Sequence, residues 1–139
     1  MSFGEIYQIA GSGMQAQTIR LNTVASNLAN AGAAAETQDT AYRALKPVFS
    51  TIYNQSQDGK ISGAQVEVSG IVKTEAPLDM RYEPDHPFAN DQGYVAYSNV
   101  NTVEEMADMM AASRLFETNV DIMNQARSMQ QGLLQLGNK

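Results

Sequence analysis

The chain contains no cysteine and a single histidine, His86. The first absence excludes disulfide staples, thiolate zinc sites and cysteine nucleophiles. The second leaves little from which to build a metal centre or a general base. Charge is sparse as well: Asp, Glu, Lys and Arg make up 17% of 139 residues, and the nine cations are scattered under a net charge of −6. Nucleic-acid binding needs clustered cations that displace counterions from phosphate, so no nucleic acid is expected as a partner. Apolar runs fall far short of the roughly 18 residues of a membrane span. No basic segment opens the N-terminus, where Glu5 stands instead, so the expectation is no membrane span and no cleaved signal peptide. The chain is then either cytoplasmic or exported by a route that reads no such signal.

The 43% apolar content suits one folded domain of ordinary size. From Phe3, apolar and small residues recur alternately four and three apart through Ala31, placing Tyr7, Met14, Leu21 and Leu28 at every seventh position and Gln17 as the polar interruption. That is the seam of a helix that packs against another helix. Glu5 and Arg20 are the only charges before Glu36, so the rest of the circumference is small and neutral. Gly32 stands where a C-terminal breaker is expected.

Residues 32–101 read as a loop and a small β-rich domain with a linker. "YRALKPVFSTIY", "AQVEVSGIVKT" and "DMRYEP" are short β-type runs, separated by the turn chemistry of "QSQDGK", "EAPL" and "PDHPFANDQG". All four prolines lie here. At Thr102 the chain returns to helix, with "TVEE" read as a capping box of Thr102 and Glu105 and with acids in the early turns. Two seams follow: Met106, Met109, Ser113, Phe116, Val120 and Met123, and beside it Ala112, Leu115, Ile122, Ala126, Met129, Leu133 and Leu136. Two seams imply more than one helical neighbour. The expected fold is α+β: a helix within 1–31 and another within 102–139 pair as a coiled-coil-like layer bracketing the β insert.

Candidate chemistry is thin. "PDHP" sets His86 beside Asp85, with Asp79, Glu83 and Asp91 near in sequence, but a lone histidine among irregular acids has no ligand spacing and no visible nucleophile. "GSG" at 11–13 lacks the spacing and lysine of a phosphate loop and is better read as letting helices approach closely. Catalytic, metal and cofactor-binding residues are therefore expected to be none, with no cofactor and no small-molecule substrate.

The uncharged stretch "RLNTVASNLANA", with Asn22, Asn27 and Asn30, suits neither water nor an apolar core. Surrounding protein would satisfy it, with amides bonding across helix interfaces. Tyr7, Met14, Leu21, Asn22, Val24, Asn27, Leu28 and Asn30 of the first helix, and Met106, Met109, Phe116, Val120, Met123 and Leu133 of the second, are accordingly the expected subunit-interface residues.

Two longer stretches carry a resemblance. "IAGSGMQAQTIRLNTVASNLANA" at 9–31 and "GYVAYSNVNTVEEMADMMAASRLFETNVDIMNQARSM" at 93–129 resemble the two terminal signatures of bacterial flagellar rod and hook proteins. Within them they resemble the proximal-rod branch, and "YEPDHPFANDQGY" at 82–94 is similar to that family's linker into the last helix. The matched positions include Asn22, Ser26, Asn27 and Asn30, then Gly93, Asn99, Asn101, Glu105, Arg114 and Asn119. Ser98, Asn90 and Phe116 depart from the family's frequent Pro, Asp and Tyr. The resemblance implies terminal helices lining an axial core, helical stacking with copies of itself and other flagellar rod proteins, and export unfolded through the flagellar type III export apparatus. It places the chain in the basal body, in a rod that crosses the periplasm and transmits motor torque to hook and filament. Two other classes remain open on the residues alone. One is a soluble helical adaptor or chaperone with a peptide groove lined by Met106, Met109, Met110, Met123 and Met129; the other is a small hydrolase using the acids near His86.

Overall fold

The computed structural model describes residues 2–55 and 61–137. The elements run α1 (Phe3–Ala29), β1 (Ala34–Ala35), β2 (Leu45–Gln55), β3 (Ile61–Lys73), β4 (Asp79–Tyr82), β5 (Tyr94–Tyr97) and α2 (Thr102–Gly137). Two long helices bracket antiparallel strands, which is the α+β arrangement expected.

Each helix starts and stops for a local reason, and three of those reasons differ from the sequence reading. α1 opens with a capping box unnoticed above: the Ser2 hydroxyl accepts from Glu5 N at 3.3 Å while Glu5 Oε2 accepts from Ser2 N at 2.7 Å. Its end is not made by Gly32. Asn30 caps the helix at φ −108°, and among the described residues Gly93 alone takes a positive φ. The capping box at Thr102 and Glu105 is not formed either. Asn101 Oδ1 accepts from Val103 N at 3.1 Å and Glu104 N at 3.4 Å and so caps α2, which leaves the Glu105 side chain to turn inward.

The helices pair antiparallel. Tyr7 meets Gln130, Gly13 meets Asn119, Arg20 meets Asp108 and Asn27 meets Glu105. On α2 the buried positions Glu105, Ala112 and Ala126 share one heptad phase with Asn119. Within the chain, α1 thus meets a stripe of α2 drawn from both expected seams: Ala112 and Ala126 of the second are buried, and Met109, Phe116 and Met123 of the first are half-buried beside them. Small residues take the centre because they let the axes approach. A Cβ added to Gly13 would lie 3.0 Å from Asn119 Nδ2, whereas one added to Gly11 would meet nothing within 4 Å among the described residues. Among the described residues, the buried hydrophobic ones are accordingly all small: Ala10, Ala16, Ala41, Ala44, Ala96, Ala112, Ala126, Val24 and Val95.

β2 and β3 form an antiparallel hairpin in register Leu45↔Lys73 through Gln55↔Ile61, with irregularities after Val48 and Asn54. It lies along α1, where Val66 N donates to Ser12 Oγ at 3.2 Å. Most of the "QSQDGK" turn, residues 56–60, lies outside the described residues. A second sheet, β1-β5-β4, was only partly legible, because β1 is two residues long and β5 hides inside the terminal signature. Gly93, at φ +78° with Tyr82 Cε2 2.8 Å from where its Cβ would be, makes the turn into β5. Ser98 then ties the linker to the end of α1, its N–H donating to Ala33 O at 3.1 Å and its hydroxyl to Ala31 O at 2.7 Å. A proline there would forgo the first of these bonds.

Candidate subunit interface

Where α1, α2 and the root of the hairpin converge, the chain builds a polar junction. Asn27 is 0% exposed. Its Nδ2 donates to Leu45 O at 2.8 Å and Glu105 Oε2 at 3.0 Å, and its Oδ1 accepts from Leu45 N at 2.9 Å and Tyr42 OH at 3.1 Å. Glu105, 2% exposed, also accepts from Lys46 Nζ at 3.0 Å. Asp108 holds Arg20 at 2.8 Å and Lys46 at 3.5 Å. Burial pulls the Lys46 ammonium toward the neutral form, but the Glu105 hydrogen bond and the charges of Glu105, Asp108 and Glu104 outweigh it and raise its pKa above the ordinary 10.5. A buried carboxylate is tolerable only with such donors around it. Nearby, Asn99 Oδ1 accepts from Ala44 N at 2.7 Å while its Nδ2 donates to Thr74 Oγ1 and Ala76 O.

Asn27 and Val24 are consumed inside the chain, and the Asn30 amide folds back onto Ser26 O at 2.8 Å. Of the three asparagines only Asn22 is exposed. The hairpin supplies the cover that the sequence reading did not foresee. Tyr7, Met14, Leu21 and Leu28 are half-buried, as are Met109, Phe116, Val120 and Met123; Met106 and Leu133 are each 56% exposed.

Two uncovered faces remain on the helices. On α1, Gln8, Gln15, Asn22 and Ala29 recur at every seventh position beside Thr18 and Ala25, all exposed and none charged. On α2, Leu115, Ile122, Met129 and Leu136 recur at the same interval and are 44–73% exposed. The interval of seven was visible in the sequence; which phase of it faces outward was not.

A paired-helix shaft with a polar junction and apolar residues on its outside has the form of an axial assembly subunit. The family model described as flagella basal body rod protein matches residues 8–32, and the one described as flagellar basal body rod FlgEFG protein C-terminal matches residues 91–136. Over 99% of both chains, this sequence is 39% identical to the flagellar basal-body rod protein FlgC of Salmonella typhimurium. It is 38% identical to FlgC of Buchnera aphidicola over 93% of each chain, and 33% identical to that of Borreliella burgdorferi over 87% of this chain and 88% of that one. The chain belongs to the FlgC family of flagellar basal-body rod proteins, and it is a structural rod subunit.

Proposed function

We propose that the chain is an axial subunit of the proximal rod, stacking helically with copies of itself and other rod proteins into the shaft that passes motor torque to hook and filament. Inverted burial carries this reading. Among the described residues the buried hydrophobics are alanine and valine, while Leu115, Ile122, Met129, Leu133, Leu134 and Leu136 are exposed. Exposed apolar area contributes about 25 cal/mol per Å² only once a neighbour covers it. Export through the flagellar type III apparatus without a cleaved signal, to a rod that crosses the periplasm, belongs to the same proposal. A core with few large side chains yields little hydrophobic free energy in the isolated chain and so opposes unfolding for passage only weakly.

Catalysis has no part in it. His86 Nδ1 accepts from Phe88 N at 3.1 Å and its ring meets that of Phe88 edge-on at 5.5 Å, so the imidazole closes its own turn. The methionine row is divided between faces: Met109 and Met123 are half-buried along the seam, while Met106, Met110 and Met129 are exposed.

Deletion of the gene followed by complementation tests the proposal. Wild-type chain and His86→Gln are both expected to restore swimming in soft agar, and purified basal bodies to contain the chain. Swimming cells whose basal bodies lack it would overturn the reading.

A further inference from the structure

The two edges of the β2–β3 hairpin differ. The edge of β3 is met by α1: Val66 N points away from β2 and donates to Ser12 Oγ at 3.2 Å. Thr51, opposite Val66 in the register, therefore turns its own N–H and C=O away from β3. Leu45 fixes the same alternation at the root, where Asn27 takes both its N–H and its carbonyl. Between them Pro47 stands at an outward position, where a residue without an N–H breaks no ladder bond. Phe49, Thr51 and Tyr53 thus present their backbone groups along the outer edge of β2. Among the described residues, nothing outside the hairpin bonds to those groups.

Open edges are ordinarily guarded by charge, by proline or by brevity. Strand β4 is guarded, being four residues long and carrying Asp79 and Arg81. β2 has no such guard beyond Pro47, because "VFSTIYNQ" holds no charge, and its Val48, Phe49, Ile52 and Tyr53 are exposed.

We propose that this edge pairs antiparallel with the β2 edge of a second copy, giving a four-stranded sheet in the order β3-β2-β2-β3. The alternation sets the register. With Thr51 opposite Thr51 of the second copy, Phe49 falls opposite Tyr53 and Tyr53 opposite Phe49, and each pair exchanges both backbone bonds. Sliding by two residues toward Pro47 would set Tyr53 against a residue with no N–H. Two aromatic pairs then flank a threonine pair on one face of the sheet. On the other face Ile52 meets Ser50, whose hydroxyl is already bonded to Ser69 Oγ at 2.7 Å. The two-fold axis runs through the sheet between the threonines, so both α1 helices lie on one side of it, each at its own β3 edge. Those edges are three strand spacings apart, roughly 14 Å, which exceeds the width of a helix, about 10 Å. A two-fold contact closes at two copies, whereas the copies in the helical stack proposed above all point one way. The paired form therefore belongs to the chain outside the shaft, where it covers an edge that would otherwise recruit other strands, and it parts before incorporation. The pairing itself does not depend on the rod-subunit reading.

Sedimentation equilibrium of the purified full chain over a dilution series is expected to show monomer and dimer and no larger species. Thr51→Pro removes an outward N–H and leaves the ladder to β3 intact, while Thr51→Lys sets two ammonium groups opposite each other at the centre of the contact. Each should raise the dissociation constant about tenfold or more, with the far-UV spectrum unchanged; Thr51→Lys carries the test should Thr51→Pro not fold. Hydrogen exchange locates the contact, with the Phe49 and Tyr53 amides protected in the wild-type dimer and fast in Thr51→Lys. A monomer at every concentration, species larger than a dimer, or a dimer that Thr51→Lys leaves intact would overturn the proposal. These measurements bear on the pairing alone, since swimming and presence of the chain in basal bodies report on the rod-subunit reading.

Discussion

At the junction, Asn27 engages four partners with a single amide and Glu105 is held by both Asn27 and Lys46. Fourteen residues up α1, at Gly13, the same helix meets α2 through the space left by a missing side chain. The junction is directional: hydrogen bonds and ion pairs set the angle at which α1, α2 and the hairpin meet. The shaft is not directional. Alanine and glycine set how close the axes come, and little else. Its one buried side-chain atom without a partner among the described residues is Gln17 Oε1. Such a chain secures its own geometry at one end and leaves large apolar side chains exposed along the shaft.

The comparison breaks first at Asn27. Replacing it by leucine orphans Leu45 N, Leu45 O and part of Glu105, at about 1–3 kcal/mol per buried group, and leaves the Tyr42 hydroxyl bonded to Ser26 Oγ at 3.1 Å. Asn27→Leu is expected to lower the stability of the isolated chain by at least about 3 kcal/mol in urea melts, against about ±0.5 kcal/mol for the exposed Asn22→Leu. Equal effects at the two positions would remove the distinction between junction and shaft.

Lys46→Met comes next, with an expected loss of about 1–3 kcal/mol from the uncompensated Glu105 carboxylate. The pH dependence follows from the raised Lys46 pKa. A group held above its unfolded value contributes fully below that value and loses the contribution as pH rises through the folded one. Stability of the wild-type chain should therefore fall above about 10.5, by an increment that Lys46→Met lacks. Parallel stability curves for the two proteins between pH 8 and 11, taken as about two units below and just above that value, would show that the ammonium does not work through its charge.

Gln17→Met sharpens the picture from the shaft side. Removing an unpartnered buried acceptor should raise stability by about 1 kcal/mol, measurable as a higher urea midpoint; a lower midpoint would mean that Gln17 is bonded in solution. The smallest effect belongs to the glycines. Gly11→Ala should gain up to about 1 kcal/mol from helix propensity, and Gly13→Ala less than that, because its Cβ crowds the Asn119 amide. Identical gains in thermal melts would show that the helices are not closely apposed at Gly13.

The order of elements was legible because periodicity and turn chemistry are local. A seven-residue interval from Tyr7 to Leu28, prolines confined to the middle and acids at the start of α2 suffice for two helices around a β insert. Local signals also misled. "TVEE" has the spacing of a capping box, yet Asn101 caps the helix and Glu105 answers to Lys46, a residue 59 positions away. Gly32 sits where a breaker would, but Asn30 already ends α1.

By itself the sequence determined the fold class, the lack of thiol chemistry and of a membrane-spanning run, and the family, through two long signatures. Only the tertiary structure decided what each face of the helices meets. Periodicity assigns residues to a stripe, but several stripes of one helix share the same interval, and nothing local says which is taken by α2, which by the hairpin and which is left open. That choice depends on long-range partners: Leu45 and Tyr42 drew Asn27 inward, Lys46 drew Glu105 inward, and Asn22 was left outside.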